Sequence, residues 1–198
     1  MRSFISSIEA EFRRYKGLAD AAIAQLTDEQ VNREGPNAGL SIAVIARHIA
    51  GNLRSRFADF LTSDGEKPWR DREAEFSRDV RARAEMEEHW ETGWRTLFEA
   101  LGALTDDQLD QKVQIRGTEL SVHEALHRAL AHASYHVGQV VYLAKAWRGP
   151  AWTYLSIPPG GSADFNRQPA GQQAETHAAR LDEMAKRRDA STSRSSPL

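Results

Sequence analysis

Ser121–Trp147 reads SVHEALHRALAHASYHVGQVVYLAKAW, and its periodicity decides the fold. With about 100° per residue and His123 at zero, Leu126, Leu130, Val137, Val140, Leu143 and Trp147 fall between about 180° and about 340°. Glu124, Arg128, Ser134, Gln139 and Lys145 occupy the other side. This is one long amphipathic helix. Ser121 is its N-cap, Glu124 completes a capping box, and Gly149-Pro150 stops it. The helix carries two histidine pairs at i,i+4 spacing, each able to present two imidazoles on one face. His123 and His127 fall at about 0° and about 40°, toward water, while His132 and His136 fall at about 180° and about 220°, at the edge of the apolar stripe.

The outward pair spells His123-Glu124-Ala125-Leu126-His127, the H-E-x-x-H pattern in which two His bind zinc and the Glu acts as general base. Its surroundings argue against that chemistry. The extended form needs Gly and His three and six residues after the second His, where Leu130 and Ala133 stand. The next carboxylate is Asp164, and Glu124 is already occupied by the cap. The E-x-x-H repeat of di-iron bundles fails too, because only Glu124 to His127 fits, on the outward face.

Three further stripes lie upstream. Ile5, Ile8, Phe12, Tyr15, Leu18 and Ala22 predict a helix over about 2–24. Ile42, Ile45, His48, Ile49, Leu53 and Phe57 predict one after Ser41, and Met86, Trp90, Trp94, Leu97, Phe98 and Leu101 predict one over about 79–101. Strand alternation is absent apart from a short extended stretch, Val113–Ile115, within a loop. The class is all-α, and four helices of this length form a four-helix bundle. A Pro- and Gly-rich loop follows the last helix, with Trp152, Tyr154, Leu155 and Phe165 to dock it. From Gly171 the chain turns polar. Residues 1–169 are therefore expected to be the bundle and 170–198 a flexible, disordered tail, with at most a short helix in Ala174–Arg188.

The 198 residues suit one domain with a full core. A formal charge of −2 and a pI near 6.4 give no electrostatic case for nucleic acid. No apolar run approaches the length of a membrane span, roughly 18 residues. No secretory signal is read either, so the expectation is a cytoplasmic protein without a membrane partner. The chain has no cysteine, so it has no disulfides, no thiolate metal ligands and no thiol nucleophile. Any sulfur chemistry must arrive with a small-molecule substrate. Tyr135 and Tyr142, on the flank of the last helix, predict a homodimer.

The halves echo each other. Leu26-Thr27-Asp28-Glu29-Gln30 matches Leu104-Thr105-Asp106-Asp107-Gln108, and Leu40-Ser41-Ile42 matches Leu120-Ser121-Val122, as two duplicated helical hairpins would. Counted from the cap serines, His48 falls at about 340°, Asn52 and His132 at about 20° and His136 at about 60°. They share one face. If the hairpins pack face to face, His48 meets His132 and His136, with Asn52 one turn beyond His48.

Arg47-His48-Ile49 and Ala131-His132-Ala133-Ser134-Tyr135-His136-Val137-Gly138-Gln139 resemble the DinB/YfiT-like superfamily of four-helix bundles. The His-x-x-x-His-x-Gly-Gln form is that family's most characteristic piece, and the resemblance spans residues 1–165. It implies a divalent metal held by His48, His132 and His136, the same three residues the helical geometry selects. Asn52 and Gln139 are candidates for contacts that support the ligands or touch the substrate. Zinc or nickel is expected, since imidazole suits both.

Some members of that superfamily transfer low-molecular-weight thiols such as bacillithiol or mycothiol, which implies a metal-dependent thiol S-transferase acting on a small electrophile. A metal-dependent hydrolase and a non-catalytic metal- or ligand-binding bundle are the other readings, and no catalytic residue is assigned. A carboxylated thiol needs Arg or Lys near the site mouth, with Arg47, Arg54, Arg116 and Arg148 as candidates.

Overall fold

Each amphipathic stripe becomes a helix in the computed structural model, which describes residues 3–80, 82–167 and 169–192. In chain order the helices are α1 (Phe4–Ile23), the short α2 (Asp28–Asn32), α3 (Ile42–Phe57), the single turn α4 (Arg72–Glu75), α5 (Arg83–Ala103), α6 (Val122–Arg148), the short α7 (Ser162–Arg167) and α8 (Ala174–Thr192). The described residues are thus mostly helical, in keeping with the all-α class. The start signals at Ser41 and Ser121 work as read, and Ser3 adds a third. Ser3, Ser41 and Ser121 each accept an N–H from the first turn of the helix they precede, and Glu124 bonds back to the Ser121 N–H. The echo between halves has a physical counterpart, because Thr27 with Gln30 and Thr105 with Gln108 form matching capping boxes. The second of these loops also anchors α1, whose first N–H groups at Phe4 and Ile5 donate to the Asp106 carboxylate at 2.8 and 3.0 Å.

α3 packs against α5 and α6, and α1 against α6 and α8. Trp94, Phe12, Leu97, Ile49, Leu126 and Val137 are fully buried between them. The Pro- and Gly-rich loop docks as its aromatic content predicts. Leu155 is buried, and Gln25 exchanges two hydrogen bonds with the Thr153 backbone.

Two features differ from the sequence reading. Val113–Ile115 belongs to a strand, β1 (Lys112–Ile115), paired antiparallel with β2 (Thr118–Ser121) so that Ile115 faces Thr118. Its two-residue turn, Arg116-Gly117, has φ of 56° and 71°, the positive pair a type I′ hairpin requires. The period-2 signal is short because only Val113 of β1 is buried.

The second correction concerns the expected tail at 170–198. Ala174–Thr192 is helix α8, and Leu181 lies at 0% exposure within the same core as α1. The contact depends on a glycine, since a Cβ on Gly17 of α1 would stand 3.1 Å from the Leu181 Cβ. His177 Nε2 further donates to the Leu155 carbonyl at 2.8 Å. The helix is polar on average, and its inward face, Ala174, Leu181 and the partly buried Met184, is too sparse to read as a stripe. Residues 193–198, also assigned to the tail, lie outside the described residues.

Candidate metal centre

His48 projects from α3 at 5% exposure, and His132 and His136, half-buried, project from α6 one turn apart. The structure brings the three together, with one ring nitrogen of each within 4.8 Å of the others. His48 Nε2 and His132 Nε2 are 3.3 Å apart. Zinc–imidazole bonds of about 2.0–2.1 Å in a tetrahedron set ligand nitrogens about 3.3 Å from one another. This pair of atoms already stands at that spacing.

Hydrogen bonds on the far side of two rings fix which nitrogen is available. His48 Nδ1 donates to Glu75 Oε2 at 2.9 Å, and His136 Nδ1 donates to Gln139 Oε1 at 2.7 Å. In the neutral form of either ring the lone pair is therefore left on Nε2. A carboxylate or amide behind a ligating imidazole fixes its tautomer and orientation, and a carboxylate raises its basicity. Gln139 thus stands behind His136. Asn52 lines the pocket in front of His48 and His132 and bonds to neither ring.

Glu75 was invisible to sequence reasoning. It sits at the end of α4 in a polar run, Arg70-Asp71-Arg72-Glu73-Ala74-Glu75, where nothing separates it from the exposed Glu73. In the structure it is buried. Arg70 Nε and Nη2 grip its carboxylate at 2.7 and 2.9 Å while His48 takes the same group from the other side. Arg47 holds the adjoining backbone by donating to the Glu75 and Ser77 carbonyls. The available signal was Gly51, a mid-helix glycine near His48, because a Cβ there would overlap the Glu75 carboxylate.

The electrostatics favour the neutral form of His132 and His136. Burial, then the neighbouring His136 and His48, then Arg70 and Arg56 lower the His132 pKa to about 4. Burial also lowers that of His136, against the opposing pull of its Gln139 hydrogen bond. Burial pushes Glu75 up, yet the hydrogen bonds from His48 and Arg70 and their charge hold it below the ordinary carboxylate range. At neutral pH the cluster is two unprotonated imidazoles with free lone pairs, His48 backed by an ionised carboxylate, and an excess of arginine nearby.

His123 and His127 take no part. Both are exposed and pack with Phe4 at ring distances of 4.8 and 5.5 Å. His127 Nδ1 donates to the His123 carbonyl, and Glu124 is engaged with Ser121. Of the arginines considered for the site mouth, Arg116 lines the pocket beside His48 and His132. Arg47 is turned to the backbone behind Glu75, Arg54 lies over Trp69 at 4.5 Å, and Arg148 ends α6, roughly 18 Å along the axis from His136.

Among the described residues no helix is long and apolar enough to cross a membrane. The family model described as "Protein of unknown function (DUF1572)" matches residues 1–161. No curated protein and no solved structure matches.

Proposed function

The chain belongs to the DUF1572 family, whose description assigns no activity, and from the chemistry of its site we propose a divalent-metal-dependent enzyme that transfers a small external thiol to an electrophilic small molecule. The observation that carries this reading is the meeting of His48, His132 and His136 from two helices, with Nδ1 of two of them already committed to Glu75 and Gln139. We read α1, α3, α5 and α6 as the four-helix bundle of the DinB/YfiT-like type, and zinc or nickel as the metal. A cation held by three neutral imidazoles keeps its full double charge and an open position, and so lowers the pKa of a thiol or water ligand.

The protein's own residues supply the rest. Glu75, clamped by Arg70, keeps His48 in the ligating tautomer, and Gln139 does so for His136. Phe57, Phe60 and Ile115 line the adjoining pocket and limit water around a bound substrate. The chain has no cysteine, so the sulfur nucleophile comes from outside.

The test is spectroscopic. Titrating the cobalt-substituted protein with glutathione, bacillithiol and mycothiol is expected to produce a sulfur-to-metal charge-transfer band for the true partner. If no thiol perturbs the spectrum while ester or amide substrates turn over, the enzyme is a hydrolase. If neither occurs, it is a binding module. The homodimer belongs to the same proposal. Tyr135 and Tyr142 stand 64% and 70% exposed and line one apolar groove with Pro36, Leu40 and Leu143, a surface suited to pairing. A light-scattering mass equal to the 22.2 kDa chain, rather than twice it, rejects the dimer.

A further inference from the structure

The pocket in front of His48 and His132 has a volume of about 160 Å³ and is lined by five arginines, Arg56, Arg70, Arg72, Arg116 and Arg128, with no carboxylate among its lining residues. They converge from separate parts of the chain: α3, the segment entering α4, α4 itself, the β1–β2 turn and α6. We infer that this pocket is an anion subsite, which takes the carboxylate or phosphate group of a small molecule whose other end reaches the three histidines. That last clause rests on the proposed metal centre, whereas the binding of the anion does not.

Nearby carboxylates do not neutralise the cluster. Glu66 is shared between Arg56 and Arg116 at 3.1 and 2.8 Å. Glu75 faces Arg70 and also accepts from His48. Glu73 touches Arg72 only at 3.4 Å and is 89% exposed. Arg128 has no hydrogen bond or ion pair among the described residues. Guanidinium groups recognise carboxylate and phosphate by paired N–H donors, and like charges gathered in a pocket repel until an anion joins them. The crowding is felt by Arg56, whose pKa is lowered by burial and by the charges of Arg70 and Arg116, against the pull of Glu66.

Two details mark a built site. The Arg70 side chain is 2% exposed, and its Nη1 is buried without a hydrogen-bond partner. A buried guanidinium donor left unpaired is costly, and an anion drawn against Arg70 relieves it. Arg116 is held in left-handed backbone, φ 56°, a conformation that ordinary side chains avoid. The Asp64 carboxylate keeps it there by accepting the N–H groups of Glu66, Arg116 and Gly117 at 2.7–2.8 Å. Together with the apolar Phe57, Phe60 and Ile115, the arginines fit a compact acid with a short carbon frame.

Calorimetric titration of the full chain, metal-loaded and chelator-treated, with malate and with inorganic phosphate tests the assignment. Saturable binding is expected in both forms, and the tighter of the two probes identifies the group as carboxylate or phosphate. Arg128→Gln is expected to weaken that binding about ten-fold, the loss of one charge-assisted hydrogen bond. Arg13→Gln, on the outer face of α1, is expected to leave it unchanged. Absence of saturable binding by either probe overturns the subsite, as does an equal loss in the two variants, which reveals general charge attraction only. Anion binding by a chain that takes up no metal sinks the metal centre and leaves the subsite standing. Metal uptake without anion binding does the reverse.

Discussion

Replacing His48, His132 or His136 singly with Ala is expected to drop bound divalent metal from one per chain to near zero, measured on purified protein after dialysis against a weak chelator. Each imidazole is one of the three proposed ligands, and one ring nitrogen of each lies within 4.8 Å of the others. A His123→Ala, His127→Ala double variant is expected to keep its full metal content, because those rings pack on Phe4 at the surface. The reverse pattern would restore the zinc-peptidase motif that the outward pair spells. Glu75→Gln separates ligation from support. It removes charge behind His48 while keeping shape, and is expected to weaken metal binding by about 10- to 100-fold without abolishing it. Unchanged affinity in that variant would mean that the 2.9 Å contact serves folding alone. Circular dichroism on every variant distinguishes metal loss from unfolding.

Leu181→Ala is expected to lower the melting temperature by on the order of 10 °C, from a cost of about 2–5 kcal/mol for truncating a fully buried leucine. Leu181 is at 0% exposure and seats against Gly17, so the cavity opens directly between α1 and α8. Ending the chain after Pro169 is expected to cost at least as much, since it also removes the buried Ala174 and the His177 bond to Leu155. Metal content at low temperature is expected to survive both changes, because α8 contributes no ligand to the cluster. A truncated chain that melts at the full-length temperature would return this segment to the status of a loose tail.

The two cases show why parts of this molecule were legible and others were not. The four long stripes, the serine caps and the Thr-x-x-Gln boxes are local. Period, cap geometry and turn chemistry act between near neighbours in sequence, so Ser121 with Glu124, or Thr27 with Gln30, could be read directly from spacing. The three histidines were legible because both helices start from a serine at a fixed count. Helical phase therefore carried His48, His132 and His136 to a common face. Gln139 entered through the His-x-x-x-His-x-Gly-Gln form, one turn from His136.

Glu75, Leu181 and the arginine pocket were decided by tertiary structure alone. Glu75 reaches His48 from an irregular segment with no period to constrain it, through space left by Gly51. Leu181 is the one large side chain among the described residues of α8 that is fully buried, and its seat depends on Gly17, far away in sequence. The five arginines are scattered between Arg56 and Arg128, and their charges combine only where α3, α4, the hairpin turn and α6 converge. Local rules set the shape and phase of each helix. Which charged or isolated side chain is drawn inward depends on the shape of the neighbour it meets, and that neighbour is chosen by the packing of the whole chain.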